Sequence, residues 1–364
     1  MHIVWLDPFH GGSHAAVANG FASRSRWRVS FVTLSQAGGW RWRMRGAAIS
    51  MARQIRANRD LHDADLLITT DMLDLATFLG LTRDLFPRTP TLLYMHENQL
   101  TYPLPPGRQR DLSLPWINYT ASVAADRICF NSAFHRDLFL RELVGLPGRF
   151  HDHQELDLIK TIQAKSQVLY PGVDLDWLST IPAQPANDPP IILWNSRWEY
   201  DKNPQAFFRA LQQLEQRGID FRVIVAGEHI DPNEATFRAA REHLAPRTVW
   251  WGYAPDLQAY RRLLRQADLV VSCAVQEFFG IAVIEAMAAG CVPVLPQRLS
   301  YPELIPSELH AECFYHDDND LADRLAESIR ELPHLRTLGF STIAQQYGWQ
   351  HQINTYDSVC ADLV

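Results

Sequence analysis

Short apolar runs alternate with longer mixed stretches over the first half of the chain. The run at residues 2–7 leads into a glycine-rich turn, which predicts a buried strand followed by a tight loop. Ser13 can cap the helical stretch at 15–22 that follows. Further strand-like runs occur at 29–34, 66–69, 91–95 and 127–131. This alternation predicts a parallel sheet that is covered by helices on both faces.

A second series of the same kind begins after residues 181–190, which contain four prolines and therefore predict an irregular linker. Its strand-like runs lie at 191–195, 222–226, 249–252, 269–272 and 292–295. We predict an α/β fold of two doubly wound Rossmann-like domains, residues 1–180 and 191–340, that face each other across a cleft. Residues 341–364 are predicted to end in a helix that packs back across the domain boundary.

The composition is that of an ordinary globular protein, with 47% hydrophobic and 21% charged residues in a chain of 364. Apolar runs such as 281–289 fall far below the roughly 20 residues of a membrane span, and the chain opens without a signal-like segment. We therefore expect a cytoplasmic protein without a membrane span. The five cysteines are scattered, so the sequence suggests neither a disulfide framework nor a zinc site.

Positive charge is concentrated near the start of the chain. Residues 1–59 contain nine arginines and a single acid, Asp7, and so carry +8, whereas the net charge of the whole chain is −7. Arginines alternate there with two tryptophans and then recur every third residue, as they do along one face of a helix. The candidate RNA-binding residues are Trp40, Arg41, Trp42, Arg43, Arg45, Arg53 and Arg56. Guanidinium groups suit phosphate contacts, and aromatic rings suit stacking on unpaired bases.

Two other interpretations of this basic segment remain open. The tryptophans could belong to the core while the arginines are simply solvated. Alternatively, a basic aromatic segment could dock on an anionic membrane or on a lipid-linked acceptor.

Two carboxylates flank the start of a predicted helix in the second domain. Glu277 lies in the loop after the strand at 269–272, and Glu285 lies about two turns further on. This arrangement offers two acceptors for sugar hydroxyls beside the free amides of a helix N-terminus, which suits a polyol attached to a phosphate. The alternative is a solvated loop acid and an unrelated acid on a helix face.

Two basic residues follow the first strand of the second domain. Arg197 and Lys202 lie five residues apart, and together they can flank a pyrophosphate and neutralise the charge that grows on it when a glycosidic bond breaks. They are the leading catalytic candidates, the alternative being a solvated surface pair.

The spacing of these residues resembles that of the family 4 glycosyltransferases, which are retaining enzymes of the GT-B fold. The resemblance implies that Glu277 contacts hydroxyls of the donor sugar, that Glu285 contacts the ribose, and that Arg197 and Lys202 act on the diphosphate. The nucleotide-contacting residues implied in addition are Gly11, Gly12, Gly227, Tyr253, Phe279, Gly280 and Ile281. Tyr253 would line the base pocket, although a buried aromatic residue is an alternative.

Family 4 enzymes often place a histidine of the first domain near the donor sugar. His96, which opens a polar run directly after the strand at 91–95, is the matching candidate, with a core or capping histidine as the alternative. His10 and His14 beside the glycine loop are weaker candidates.

Three segments resemble the tRNA-queuosine α-mannosyltransferase group of this family: residues 4–14, 38–46 and 96–103. The resemblance implies transfer of mannose, with retention, from GDP-mannose to queuosine in tRNA-Asp. The sequence predicts no protein partner. Two alternatives are a family 4 enzyme with a lipid or polysaccharide acceptor, and an inactive tRNA-binding protein.

No metal is expected to take part in the reaction. The Asp63-Ala-Asp65 and Asp174-Leu-Asp176 segments have the Asp-x-Asp pattern of metal-dependent transferases, but their positions favour ordinary loop acids.

Overall fold

The computed structural model of the protein describes residues 1–34, 39–105, 107–182, 184–228 and 235–364. The chain divides into two units. The first unit comprises Met1–Asp174 and Trp349–Val364, and the second comprises Leu175–Gly348. The division between the units therefore falls ahead of the linker that the sequence predicts at 181–190.

The first unit is built on a six-stranded parallel sheet with the order β2-β1-β3-β4-β5-β6. Its strands are β1 (His2–Asp7), β2 (Arg28–Thr33), β3 (Leu66–Thr70), β4 (Thr91–Met95), β5 (Arg127–Phe130) and β6 (Ser166–Val168). Its helices include α1 (Gly12–Ala22), α2 (Trp40–Ala57), α3 (Leu75–Thr82), α4 (Ser113–Ala124), α5 (Ala133–Leu143) and α6 (Asp157–Ala164).

Helices cover both faces of this sheet. Val4 and Leu6 of β1 belong to one apolar core, whereas Ile3 and Trp5 belong to another, because successive side chains of a strand point to opposite faces. The prediction of a parallel sheet buried on both sides is confirmed. The prediction that Ser13 caps α1 is wrong: the helix begins at Gly12, and its N-cap is Gly11.

The second unit contains a second six-stranded parallel sheet, with the order β12-β11-β10-β7-β8-β9. Its strands are β7 (Ile191–Asn195), β8 (Arg222–Ala226), β9 (Thr248–Gly252), β10 (Leu269–Val271), β11 (Val292–Pro296) and β12 (Phe314–Tyr315). Its longer helices are α7 (Pro204–Gln216), α8 (Ala235–Leu244), α9 (Leu257–Gln266), α10 (Ile281–Ala289) and α13 (Leu321–Arg330). Its shorter α-helices, among the residues that the structure describes, are α11 (Tyr301–Leu304), α12 (His310–Cys313), α14 (Leu332–Leu335) and α15 (Phe340–Gln345).

The last helix, α16 (Trp349–Ala361), is part of the first unit. Its Trp349 is 1% exposed, and Cβ atoms built at Gly20 and Gly172 would lie only 2.1 and 2.2 Å from the indole ring. The phenol of Tyr356 donates a hydrogen bond of 2.9 Å to the Tyr94 hydroxyl at the end of β4. The final helix therefore completes the apolar core of the first unit that contains Ile3 and Trp5.

Candidate functional site

The most chemically organised part of the second unit lies at the carboxyl ends of β7 and β10. These strands are neighbours at the point where the strand order reverses, which is where open α/β sheets form ligand-binding crevices. The loop after β7 carries Arg197 and ends in a short 3₁₀ turn at Tyr200–Lys202, and the loop after β10 carries Glu277. The fold therefore brings together residues that are about 75 positions apart in the chain.

Lys202 is held by three acceptors. Its Nζ lies 3.3 Å from Glu277 Oε2 and 3.3 Å from Asp201 Oδ2, and it donates a hydrogen bond of 2.9 Å to the Gln276 carbonyl. Only 11% of the side chain is exposed. Burial alone would lower the pKa of Lys202, but the charges of Glu277 and Asp201 outweigh burial and raise the pKa above its ordinary value. The result is a fixed, partly desolvated positive charge.

Arg197 is more exposed than Lys202 and pairs with another residue. Its guanidinium lies 3.2 Å from the Glu199 carboxylate, and 54% of its side chain is accessible to solvent. The Arg197 charge opposes the rise in the pKa of Lys202, so the two cations lie within electrostatic reach of each other. The structure thus brings Lys202 and Glu277 into contact and leaves Arg197 beside them as an accessible cation.

Helix α10 begins directly after the Glu277 loop. Gly280, its N-cap, has a φ of 110°, and a Cβ there would lie 3.2 Å from the Tyr301 ring, so both the backbone and the packing require glycine. The Phe279 amide lies 3.5 Å from Glu277 Oε1. Backbone bonding in α10 starts with the Val283 amide, which donates a hydrogen bond of 3.0 Å to the Gly280 carbonyl. The preceding amides, of Ile281 and Ala282, have no earlier carbonyl of the helix to bond, which is the usual basis of anion binding at a helix start.

Glu285 is oriented by a partly buried hydrogen-bond network. Tyr260 donates a hydrogen bond of 2.9 Å to Glu285 Oε2, and Asn195 at the end of β7 donates one of 3.1 Å to the Tyr260 hydroxyl. Burial and the Glu285 charge raise the pKa of Tyr260 well above its ordinary value, so the phenol remains a donor. Sequence reasoning missed Tyr260 and Asn195, since nothing near either residue marks it as a partner of α10. Contact between Glu285 and a ribose stays a prediction.

Two further predicted nucleotide-contacting residues follow β8 and β9. A Cβ at Gly227 would lie 1.9 Å from the Ser196 carbonyl oxygen, so only glycine allows the two loops to approach. Tyr253 is 68% exposed, and the alternative that it is a buried aromatic residue is therefore wrong. Its contact with a base stays a prediction.

The first unit also collects polar side chains at the carboxyl ends of its strands. Asp7 ends β1, Asp71 follows β3, and His96 follows β4. His10 Nδ1 lies 3.0 Å from the Asp7 carboxylate, and His14 Nδ1 lies 3.5 Å from it. The His14 ring stacks on the His96 ring with a centroid distance of 4.0 Å. The structure therefore joins His96 to the two weaker histidine candidates beside the Gly11-Gly12 loop.

The histidines of this cluster differ in their pKa values, and therefore in their charge at neutral pH. Burial alone would lower the pKa of His14, but the Asp7 carboxylate raises it to about 9. Burial and the neighbouring His14 charge lower the pKa of His96 well below its ordinary value. Burial raises the pKa of Asp71 to about 7. At neutral pH the cluster therefore holds a His14–Asp7 ion pair beside a neutral His96, whose buried Nε2 has no hydrogen-bond partner within the described residues.

Asp7 and Asp71 were not among the predicted site residues. The available signal was an aspartate directly after an apolar strand-like run, as in Leu6-Asp7, which places a carboxylate at a strand end.

We expect replacement of His14 by glutamine to destabilise the first unit in a pH-dependent way. A histidine whose pKa is raised on folding contributes its full stabilisation below the unfolded pKa of about 6.5, and that contribution is lost as the pH rises through about 9. The difference in unfolding free energy between the wild type and His14→Gln should therefore shrink by about 3 kcal/mol between pH 6 and pH 10. Calorimetric melts across this range measure it. His151→Gln, at an exposed histidine, is the control, and a pH-independent difference for His14→Gln would contradict the ion pair.

Helix α2 carries the predicted RNA-binding residues, and they differ in exposure. Trp42 is 50% exposed and lies over Gly46, while Trp40 is partly buried against a small cluster that contains Met44. Trp42 is thus not a core residue. The exposed arginines are Arg41, Arg45, Arg53 and Arg56. Gly38, which belongs to the basic segment, lies outside the described residues.

Arg43 requires a correction. It is 5% exposed, because it lies on the side of α2 that faces the core, and its guanidinium lies 5.3 Å from the Trp42 ring centroid. A phosphate-contacting role for Arg43 is therefore wrong. Two exposed arginines also have protein partners: Arg45 pairs with Asp111, and Arg56 pairs with Asp84 at 2.5 Å.

The Asp-x-Asp segments are engaged in contacts with basic groups and backbone. Asp63 lies 2.6 Å from His2 Nδ1, Asp65 accepts a hydrogen bond from the His2 amide, and Asp174 pairs with Arg24 at 3.1 Å. Within the described parts of the chain, no group of three histidine, cysteine or acidic side chains is arranged to hold a metal ion. Across the same residues, no helix is both long enough and apolar enough to cross a bilayer.

Two family models match the chain. The model described as tRNA-queuosine alpha-mannosyltransferase N-terminal matches residues 2–173, and that of glycosyl transferases group 1 matches residues 180–339. Among solved structures, sucrose-phosphate synthase from Thermosynechococcus elongatus superposes with a TM-score of 0.73 at 17% identity, covering 100% of this chain and 99% of that one. This likeness confirms the predicted GT-B fold.

Two similar proteins show which glycosyltransferase family the chain belongs to. A GDP-mannose:cellobiosyl-diphosphopolyprenol alpha-mannosyltransferase of Xanthomonas campestris is 29% identical over 69% of this chain and 62% of its own length. The tRNA-queuosine alpha-mannosyltransferase of Drosophila melanogaster is 32% identical over 89% of this chain and 86% of its own length. With that identity over most of both chains, this protein is a glycosyltransferase that belongs to the tRNA-queuosine alpha-mannosyltransferase family.

Proposed function

We propose that this protein transfers mannose from GDP-mannose to queuosine in tRNA-Asp, with retention of configuration, and that it does so in the cytoplasm without a protein partner. The similarity to the Drosophila enzyme over most of the chain supports the acceptor, and the name of the Xanthomonas relative supports the donor. The observation that carries the chemistry is the buried ammonium of Lys202, fixed by Glu277 beside the start of α10.

The proposed reaction breaks the bond between the anomeric carbon of mannose and the diphosphate oxygen. A queuosine hydroxyl attacks the same face of the sugar, and its proton passes to the departing diphosphate, so no protein nucleophile is required. Negative charge grows on the diphosphate as the bond breaks. Lys202, Arg197 and the free amides at the start of α10 offset that charge in a partly desolvated place, where fixed charges act more strongly than in water.

The carboxylates have different proposed tasks. Glu277 accepts hydrogen bonds from donor-sugar hydroxyls and keeps Lys202 charged, whereas Glu285, held by Tyr260, binds the ribose. In the first unit, the neutral His96 offers a ring nitrogen to a hydroxyl group of a substrate. Protein cations supply the positive charge, and we propose that no metal ion takes part.

The direct test is nucleoside mass spectrometry of queuosine-containing tRNA-Asp after incubation with the purified protein, GDP-mannose and EDTA. We expect a gain of one hexose on queuosine. Hydrolysis of GDP-mannose without that gain would support GDP-mannose as the donor but would contradict queuosine as the acceptor. A lipid or polysaccharide acceptor would then be favoured. Binding of tRNA with neither reaction would favour an inactive RNA-binding protein, and activity lost with EDTA and restored by a divalent cation would overturn the metal-free mechanism.

We also expect the exposed arginines of α2 to contribute to tRNA binding. Charge reversal of Arg41 and Arg53 together should weaken binding about tenfold or more at low salt and should flatten the salt dependence, because each lost phosphate contact lowers the slope by about 1. Filter binding at several salt concentrations measures both effects. The matched control is Arg238→Glu with Arg262→Glu, which makes the same charge change at exposed positions of the second unit. Equal effects of the two double variants would contradict a specific role for α2.

A further inference from the structure

A groove on the first unit exposes two aromatic side chains. It has a volume of about 720 Å³, within the range of small-molecule sites. Trp116 of α4 is 37% exposed and Phe150 is 52% exposed, and their ring centroids lie 5.5 Å apart at an interplanar angle of 71°. Buried Leu146 contributes to the lining between them.

The packing of α4 against the rest of the unit does not depend on these two rings. Helix α4 already buries Leu114, Tyr119 and Ala121 on its inner face, and Trp116 lies on the outer face with Leu112. An exposed tryptophan beside an exposed phenylalanine is an unusual use of the two largest apolar side chains unless something covers them. The rings therefore form an apolar surface that is available for stacking.

The groove has arginines on its edge. Arg45, which projects from α2, and Arg149 both line it. Arg45 is fixed in place by Asp111 and by a hydrogen bond of 3.0 Å to the Ser113 hydroxyl at the start of α4. The lining carboxylate of Asp74 caps α3 by accepting from the Thr77 amide at 3.1 Å. The acids near the groove thus hold protein groups in place.

The same edge continues into the basic face of α2. Arg41 and Arg45 are four residues apart and lie on one side of the helix, whereas Arg53 is rotated from Arg41 by roughly 120° about the helix axis. Arg41 and Arg53 are exposed, and no acid is their salt-bridge partner among the described residues. A ligand in the groove therefore lies next to Arg45, with Arg41 one helical turn away, and these two guanidinium groups suit neighbouring phosphates.

We propose that this groove receives an unpaired nucleobase of the tRNA loop that carries the acceptor, stacked on Trp116 and Phe150 while the flanking phosphates contact Arg45, Arg149 and the exposed arginines of α2. The assignment rests on the proposed function for the identity of the RNA. Its chemistry is independent of that function: aromatic rings with adjoining guanidinium groups are how proteins bind single-stranded nucleic acid.

The test uses binding and needs no mannosyl transfer. The probe is the anticodon stem–loop of tRNA-Asp without queuosine, and its binding is measured by fluorescence anisotropy. The affinity for a blunt RNA duplex of equal length is measured from its competition with this probe. Loss of a stacked base typically weakens binding by about fivefold to a hundredfold. We expect Trp116→Leu to weaken stem–loop binding within this range and to leave duplex binding unchanged, while Trp116→Tyr restores most of the affinity. Val123→Ala, at an apolar residue of α4 with the same 37% exposure that does not line the groove, should have no effect.

Several results would overturn the assignment. Wild-type affinity of Trp116→Leu for the stem–loop would do so, as would an equal loss for stem–loop and duplex. Trp116-dependent pelleting with anionic phosphatidylserine vesicles, without a change in stem–loop binding, would assign the groove to a membrane. If Trp116→Leu fails to fold, the same comparison of stem–loop and duplex is made with Phe150→Leu, since Phe150 lies outside α4. If the protein does not mannosylate queuosine but the stem–loop comparison succeeds, the proposed acceptor fails while the groove assignment stands.

Discussion

Replacement of Lys202 by methionine should lower kcat for mannosyl transfer by about a hundredfold to a thousandfold. The ammonium is pre-oriented by Glu277, Asp201 and the Gln276 carbonyl, so it needs no reorganisation when charge develops on the leaving diphosphate. Removing one such donor from a transition state typically costs two to three powers of ten in rate. Single-turnover transfer at saturating GDP-mannose measures the loss.

Stability has to be measured in parallel. Without Lys202, the carboxylates of Asp201 and Glu277 lose a shared counter-charge, and an unpaired buried carboxylate destabilises a fold. A melting curve at the assay temperature therefore accompanies the rate measurement. Lys202→Arg is the matched variant that keeps the charge, and transfer by a folded Lys202→Met protein at the wild-type rate would remove Lys202 from the chemistry.

The Glu277→Gln change should reduce kcat/KM for GDP-mannose by about a hundredfold while leaving tRNA affinity within about twofold of the wild type. Glutamine has nearly the shape of glutamate, but it accepts hydrogen bonds from sugar hydroxyls less strongly and removes the negative charge that supports the Lys202 ammonium. Steady-state transfer and filter binding of tRNA measure the two quantities separately.

Glu199→Gln is the matched control for this second variant. Glu199 lies in the same loop as Lys202, and its carbonyl accepts a hydrogen bond of 3.1 Å from the Lys202 amide. Its carboxylate pairs with Arg197, whereas the Lys202 ammonium pairs with the carboxylates of Asp201 and Glu277. We expect a much smaller loss of transfer for it. Equal losses for Glu199→Gln and Glu277→Gln would indicate that the loop charge as a whole, rather than the Glu277 contact, supports the reaction.

Local sequence patterns predict the elements of this fold well, because each element repeats a simple period. The strands at 191–195 and 222–226 lie where the hydrophobic pattern places them, since a buried strand needs a short apolar run. The start of α1 was misplaced because Gly11, which has no side chain, occupies the N-cap.

The candidate site was only partly predictable. The sequence identifies Lys202 and Glu277 individually, but their contact depends on β7 pairing with β10, from which it is separated in the chain by β8 and β9. Strand order is not contained in any local pattern. The position of Asp71 beside the local Asp7–His14 ion pair depends in the same way on β1 pairing with β3. The burial of Arg43 depends on the rotation of α2 about its axis, which an arginine-rich helix with apolar residues on several sides leaves ambiguous.

The place of α16 has a consequence for the order in which the protein can assemble during synthesis. The second unit is one continuous stretch of chain, so all of its sheet has been made once residue 348 has been added. The first unit begins earlier but is finished later. Trp349, which packs against Gly20 and Gly172, is added to the chain only after the second unit. The half of the protein that is translated first therefore completes the apolar core that contains Trp349 last, after the whole second unit has left the ribosome.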